Sequence, residues 1–126
     1  MVKKIVKTDK APAAIGPYSQ AVVHQNTLYC SGQIALDPKS MELVSNNVGE
    51  QTEQVMKNIE QVLREAGSSF DKVLKCSIFL ADMDDFSEVN EIYGSYFSDN
   101  PPARETVEVS RLPKNVKIEI SCTAYV

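Results

Sequence analysis

Two residues near the C-terminus, Arg104 and Glu119, have side chains that could act on a small anionic substrate. A guanidinium is always charged and can hold a carboxylate or a phosphate through two parallel hydrogen bonds. A partly buried carboxylate can orient a water molecule or carry a proton. Taken alone, Arg104 also fits a surface ion pair, and Glu119 also fits a solvated strand face. Their chemistry therefore depends on whether the fold brings them together.

The two segments that hold these residues alternate polar and apolar side chains with the period of two that a half-buried strand requires. In the first segment Arg104 and Thr106 share one face, and in the second Glu119 points away from its apolar neighbours. Residues 110–115 predict a polar turn between the segments. If the two strands pair as an antiparallel hairpin, Arg104, Thr106 and Glu119 lie on one polar face. We expect the function on that face.

Tyr18 and Ser31 are further candidates, because each lies close to a glycine. Gly16 and Gly32 would let a ligand approach the backbone, although turn chemistry explains the same composition. His24 is the single histidine, which argues against a Ser–His triad and against a metal site built on histidines. The sequence has no phosphate-binding glycine loop.

The three cysteines are expected to be small core side chains, because each shares strand phase with apolar residues. Cys30 is in phase with Leu28, Cys76 with Leu74, Ile78 and Leu80, and Cys122 with Ile118 and Ile120. An odd number of cysteines without a CxxC spacing indicates reduced thiols in a reducing compartment.

The remaining elements predict an α+β domain. The other strands are expected at residues 3–7, 18–24, 27–32 and 73–80. Asn47, followed by Glu50 three residues later, predicts the N-cap of a long helix that Gly67 ends, and Asp84 or Asp85 predicts the start of a second helix. The order is ββαβαββ with one more strand at the start. Right-handed crossovers place both helices on one face of a single sheet.

The composition describes an ordinary globular chain. It has 126 residues, 43% of them apolar and 24% charged, which fits one domain spanning residues 1–126. The net charge of −4, with scattered Lys and Arg, gives no general attraction to nucleic acid or to an anionic membrane. No apolar run reaches the ~18 residues of a membrane span, and no secretory signal is recognisable. Together with the reduced cysteines, these features predict a cytoplasmic protein.

The predicted sheet leaves one face without helices, and the side chains expected there are only half polar. A sheet face of this kind usually meets a partner. We therefore expect a homo-oligomer with sites near the contacts between subunits.

With these residues laid out, the chain resembles the reactive-intermediate deaminase family, also called RidA, YjgF or L-PSP. The resemblance extends nearly end to end. It rests on AIGPYSQA at 14–21, CSGQI at 30–34, QTEQVMKNI at 51–59, VNEIY at 89–93, and PAR at 102–104 followed by LP at 112–113 and IEI at 118–120. The last group corresponds to the signature region of the family and is the most specific.

The resemblance implies a chorismate-mutase-like fold assembled as a homotrimer, with a central barrel of three sheets and pockets at the subunit interfaces. It implies hydrolysis of 2-imino acids and their enamine tautomers, such as 2-iminobutyrate and 2-aminoacrylate, to 2-keto acids and ammonia. By position, Arg104 would bind the substrate carboxylate and Glu119 would position or activate the attacking water. The residues lining the pocket would be Tyr18, Ser31, Gly32, Asn90 and Thr106. No metal and no organic cofactor is implied.

Two positions depart from the family pattern. Thr106 stands where many members have cysteine, which excludes thiol chemistry there. Glu105 stands where a small residue is usual, and by alternation it should point away from the side chain of Arg104.

Two other functions stay open at this point. One is an endoribonuclease that inhibits translation, as some labels within the family state, although the chain lacks the basic stripe and aromatic platform typical of nucleic-acid binding. The other is a non-catalytic trimer whose pockets bind a keto acid or an amino acid. Arg104 alone would serve binding, whereas Glu119 matters only for chemistry.

Overall fold

The computed structural model describes residues 2–126, which form one mixed sheet of six strands with two helices. The strands are β1 (Lys4–Val6), β2 (Ala21–His24), β3 (Thr27–Gln33), β4 (Val73–Leu80), β5 (Ala103–Glu108) and β6 (Ile118–Tyr125), and the helices are α1 (Val48–Glu65) and α2 (Phe86–Gly94). The strand order across the sheet is β1-β2-β3-β6-β4-β5. The predicted α+β class, its single sheet and the extra first strand are confirmed. Within residues 2–126 no helix is long and apolar enough to cross a membrane.

Helix α1 begins and ends where the sequence predicts. The side chain of Asn47 accepts a hydrogen bond of 2.9 Å from the backbone N–H of Glu50, which satisfies a donor that the first turn leaves free. Gly67 follows the helix with φ +80°, a conformation that only glycine adopts without strain. Between these ends, an apolar stripe that includes Val55, Ile59 and Leu63 is fully buried against the sheet.

Helix α2 is shorter than its apolar stripe. It ends at Gly94, yet Tyr96 and Phe97 beyond it still pack on the core. Phe70 fixes this extension, because its ring meets those of Tyr96 and Phe97 edge-on at 5.4 Å and 5.5 Å.

The predicted hairpin of β5 and β6 is wrong. Strand β4 lies between them, parallel to β5 and antiparallel to β6. The reason is burial: β6 alternates fully buried residues along one face and therefore takes a central position, where both of its backbone edges are paired. In β5 every residue except Thr106 is exposed, so it suits the edge of the sheet.

The apolar face of β4 also differs from the prediction at its start. Leu74 is 50% exposed, whereas Val73 is buried, because the register of β4 against β6 shifts between Val73 and Lys75. From Cys76 onward the predicted alternation holds, and Cys76, Ile78 and Leu80 are buried.

The face of the sheet opposite the helices is half polar, as predicted. Tyr29 and Val107 expose about half of their surface there, at 52% and 43%. Lys75 and Glu105 lie on the same face and form an ion pair of 3.2 Å.

Candidate active site

A cavity of about 720 Å³ collects four of the seven predicted site residues: Tyr18, Ser31, Gly32 and Glu119. It lies beside β3 and β6, and the loop before β2 and the turn before β6 complete its wall. The rest of its lining is largely apolar, including Ile15, Ile34 and Met41. Glu119 and Lys114 are the two charged residues among the residues lining it.

Ser31 fastens the loop that contains Tyr18 onto the sheet. Its hydroxyl donates a hydrogen bond of 2.6 Å to the backbone carbonyl of Ser19, and its N–H donates one of 2.9 Å to that of Gln20. Tyr18 itself stays 53% exposed at the cavity wall. A serine at this position therefore shapes the cavity through the backbone.

Gln20 is a structural residue of this site that the sequence reasoning missed. It is 4% exposed, and its amide donates to the carbonyls of Thr8 and Pro12 while its oxygen accepts from the N–H of Thr8. These bonds hold the segment before β2 against the sheet, since a buried amide needs all of its partners. In the sequence, the one sign of this role is that Gln20 stands directly before an apolar strand.

The position of the Glu119 side chain requires a glycine at residue 32. A Cβ atom built on Gly32 would lie 2.8 Å from Cδ and 3.0 Å from Cγ of Glu119, which is closer than side chains pack. The absence of a side chain at residue 32 thus lets the carboxyl group lie directly on the backbone of β3. Burial raises the pKa of Glu119 above its usual value of 4.5, because a charged carboxylate loses hydration there.

The other three predicted residues, Arg104, Asn90 and Thr106, lie on the helix side of the sheet, where Arg104 and Asn90 are in contact. Nη1 of Arg104 donates a hydrogen bond of 2.6 Å to Oδ1 of Asn90, which α2 places over the start of β5. Thr106 lies two residues further along β5, and its buried hydroxyl finds no hydrogen-bond partner within residues 2–126.

One chain does not bring Arg104 and Glu119 together. Arg104 is paired with Cys76 of β4, and Glu119 is paired with Phe79 of the same strand. Residues an odd number of positions apart on a strand point to opposite faces, so Arg104 lies on the helix side and Glu119 on the open side. The expectation that both share one face with Thr106 is therefore wrong, although Arg104 and Thr106 do share a face.

Glu105 points away from Arg104, as its position in the alternation predicts. It accepts a hydrogen bond of 2.7 Å from the hydroxyl of Ser77 and pairs with Lys75. These two partners lower the pKa of Glu105, with the Ser77 hydrogen bond the larger cause. The charge of Glu105 is thus paired on the open face, away from Arg104.

The cysteines lie side by side in one row across three strands. Cys30 is paired with Cys122, and Cys122 with Cys76. Cys76 and Cys122 are buried as predicted, whereas Cys30 is partly exposed, and all three are free thiols. Burial raises the pKa of Cys76 to about 11, so this thiol stays protonated and unreactive near neutral pH.

No group of three His, Cys, Asp or Glu side chains within the described part of the chain could hold a metal ion. His24 is exposed at the β2–β3 turn and is not among the residues that line the cavity.

Comparison with known proteins places this geometry in a family. A family model described as endoribonuclease L-PSP matches residues 8–126. The human protein named 2-iminobutanoate/2-iminopropanoate deaminase is 48% identical over 124 residues, which cover 98% of this chain and 90% of the human protein.

Two solved structures show the same fold at high identity. A putative endoribonuclease from Thermotoga maritima is 49% identical with a TM-score of 0.96, and the match covers 99% of this chain and 98% of that one. A Rid family protein of unknown function from Yersinia pestis is 48% identical with a TM-score of 0.97, and the match covers 99% of this chain and all of that one, 100%. This chain therefore belongs to the endoribonuclease L-PSP family, whose members include Rid proteins and imine deaminases.

Proposed function

We propose that the protein is a hydrolytic deaminase that converts 2-imino acids and their enamine tautomers to 2-keto acids and ammonia. 2-Iminobutyrate and 2-aminoacrylate are the expected substrates. The name of the human relative supports this reaction, because the identity extends over almost the complete chain. The observation that carries the proposal is an arginine free of any carboxylate partner within residues 2–126, together with a partly buried carboxylate of raised pKa.

The complete site requires more than one copy of the chain. Arg104 and Glu119 lie on opposite faces of the sheet, so one substrate can contact both only where two copies meet. The half-apolar open face offers the surface for such a contact. We propose a homotrimer, in which each cavity receives Arg104, Asn90 and Thr106 from a neighbouring subunit.

Each residue then has a defined task. Arg104 binds the substrate carboxylate through two parallel hydrogen bonds, and Tyr18, Ser31, Gly32, Asn90 and Thr106 line the pocket around the substrate. An enamine first takes a proton on its β-carbon and becomes the imine. No nucleophile from the protein is needed, because a protonated imine is already electrophilic.

Glu119 is suited to move the proton. Its raised pKa brings it closer to neutrality, where a carboxylate can accept a proton and return it. The carboxylate takes a proton from water as the oxygen attacks the imine carbon. It then delivers this proton to the amino group of the tetrahedral intermediate. The C–N bond then breaks and ammonia leaves, while the carboxylate, again deprotonated, takes the proton of the intermediate's hydroxyl group and the carbon–oxygen bond becomes a carbonyl. That proton passes to the ammonia, which departs as ammonium, and Glu119 is ready for the next cycle.

Arg104 provides the direct test. Losing a desolvated, charge-assisted pair costs roughly 2–4 kcal/mol, which corresponds to about 30- to 1000-fold in kcat/KM. We expect Arg104→Ala to lose this much activity on 2-iminobutyrate and Arg104→Lys to restore little of it, because lysine lacks the planar pair of donors. Arg64→Ala is the matched control, since Arg64 is an exposed residue of α1 paired with Glu60.

Both Arg104 variants should stay trimeric, with about three times the chain mass of 14.0 kDa by light scattering. A trimeric Arg104→Ala that hydrolyses 2-iminobutyrate within about threefold of wild type would refute the role of Arg104. An active monomer would refute the shared site.

The alternative functions give different outcomes. The names of the family and of the Thermotoga protein raise RNA cleavage, but the net charge of −4 and the single lysine lining the cavity do not favour a polyanion. RNA cleavage that Arg104→Ala abolishes, without imine hydrolysis by wild type, would establish it. If wild type and Glu119→Gln bind 2-ketobutyrate equally and neither hydrolyses imines, the protein is a binding module.

A further inference from the structure

Helix α2 presents three side chains to Arg104. Phe86, Asn90 and Tyr93 stand four and three residues apart, a spacing that puts them on one face of a helix. The guanidinium carbon of Arg104 lies 5.4 Å from the ring centre of Phe86 and 5.2 Å from that of Tyr93. Asn90 accepts the hydrogen bond of 2.6 Å from Nη1. The apolar stripe of α2 thus serves Arg104 as well as the core.

These three neighbours hold the guanidinium of Arg104 without neutralising its charge. Within residues 2–126 no carboxylate lies within 4.0 Å of the guanidinium nitrogens of Arg104. Ring faces attract a cation through their quadrupole, and an amide oxygen accepts a hydrogen bond, but neither brings a negative charge. Lys75 shows the contrast, because its ammonium is paired with Glu105. The charge of Arg104 therefore stays available to an anion from outside the chain.

The ring of Tyr93 is well placed for this task. Tyr93 is 4% exposed and packs against Phe97 at 4.9 Å between ring centres, so its position is fixed by the core. Its hydroxyl is buried beside the thiol of Cys76, whereas its ring lies under the guanidinium of Arg104. The ring, and not the hydroxyl, is therefore the part of Tyr93 that contacts Arg104.

We propose that Phe86 and Tyr93 are positioning residues that fix the guanidinium of Arg104 as an unneutralised cation for the substrate carboxylate. The proposal rests on the proposed function of Arg104. It distinguishes these two rings from Phe70, Tyr96 and Phe97 of the same cluster, which pack on the core and are not among the rings that meet Arg104.

The kinetic test replaces one ring at a time with leucine. Phe86→Leu and Tyr93→Leu should each raise KM for 2-iminobutyrate and Kd for 2-ketobutyrate by about 3- to 10-fold, a range taken from cation–π contacts. The value of kcat should change by less than about threefold, because the rings do not touch the reacting carbon. Tyr93→Phe keeps the ring and should recover the affinity that Tyr93→Leu loses.

Phe97→Leu is the matched control. It removes a ring from the same cluster, in contact with Tyr93 and Phe70 but not among the rings that meet Arg104. Like Phe86→Leu and Tyr93→Leu, it should lower the melting temperature, because each removes a packed ring. Unlike them, it should leave KM for 2-iminobutyrate unchanged. An equal rise of KM in Phe97→Leu would refute the proposal, since general loosening of the cluster would then explain it.

A second readout needs no substrate. In protein with ¹⁵N-labelled arginine, the Nε–Hε signal of Arg104, assigned by its loss in Arg104→Lys, should be displaced by the two ring currents. It should move toward the free-arginine position in Phe86→Leu and in Tyr93→Leu. If wild type hydrolyses no imine but these shifts occur, the proposed function fails and the positioning stands. If both leucine variants keep the wild-type signal and the wild-type Kd, the positioning is refuted.

Discussion

Replacing Gly32 with alanine should displace the carboxyl group of Glu119 and leave the fold intact. The added Cβ would lie 2.8 Å from Cδ of Glu119, and ordinary contact begins at 3.4 Å, so the carboxyl carbon must move by at least 0.6 Å. The obstructing atoms are the far end of a flexible side chain, which can move more easily than backbone. The cost should therefore appear in catalysis and not in folding.

The size of the effect follows from that displacement. A misplacement of about 1 Å can cost a catalytic group roughly 100-fold. We expect Gly32→Ala to lower kcat/KM for 2-iminobutyrate by about 10- to 100-fold, which is about 1.4–2.8 kcal/mol. Gly32 does not have a positive φ, so alanine fits its backbone. The free energy of unfolding should change by less than about 1 kcal/mol.

Two further variants make the assay decisive. Gly94→Ala is the same substitution at a position with no atom within 4 Å of the added Cβ. It should leave kcat/KM unchanged and stabilise the end of α2 by about 0.5–1 kcal/mol. In a Glu119→Gln background, Gly32→Ala should cost less than about threefold, because its effect acts through the carboxylate.

Coupled detection of the 2-keto acid gives kcat/KM, and urea unfolding gives stability. Wild-type activity in a folded Gly32→Ala protein would refute the role of the Glu119 carboxylate position. A full additional loss in the double variant would show that Gly32 acts on the substrate directly and not through Glu119.

Three further predictions concern charge and thiol chemistry. Burial raises the pKa of Glu119 in the folded chain above its value in the unfolded chain. The free energy of unfolding therefore falls as pH rises from the unfolded-state pKa through the folded-state pKa, because only the folded chain still holds this proton there. Glu119→Gln should therefore melt at a higher temperature than wild type at about pH 8, with the difference vanishing below about pH 4, while hydrolysis is lost. Asn90→Asp places a carboxylate beside Arg104 and should weaken 2-ketobutyrate binding by about tenfold without lowering the melting temperature; unchanged binding in calorimetry would contradict it. A thiol reagent should label Cys30 first in native protein and the two buried cysteines only after unfolding, and fast labelling of all three would show that the core is open.

Much of the architecture is determined by local sequence. The ends of α1 follow from Asn47 and Gly67, because capping and left-handed φ are properties of single residues and their nearest neighbours. The burial of alternate residues in β6 follows from its period of two. The family motifs likewise identify the candidate site residues, since they are local strings of residue types.

The neighbours of each strand are decided only by the tertiary structure. The alternation of β5 and β6 predicts which side chains share a face within a strand, but it does not say which strands pair. Pairing follows from competition for buried positions across the whole chain, and β6 takes the centre while β5 takes the edge. That choice puts Arg104 and Glu119 on opposite faces, where a hairpin would have joined them.

Packing between distant parts of the chain also explains the contacts that the sequence does not predict. Phe86 and Tyr93 belong to an apolar stripe that predicts core packing, and nothing local shows that the stripe also faces Arg104. Gly32 predicts a close approach, but only the register of β3 against β6 shows that Glu119 is what approaches. Sequence determines the faces that side chains occupy along each element, and long-range burial decides which faces meet.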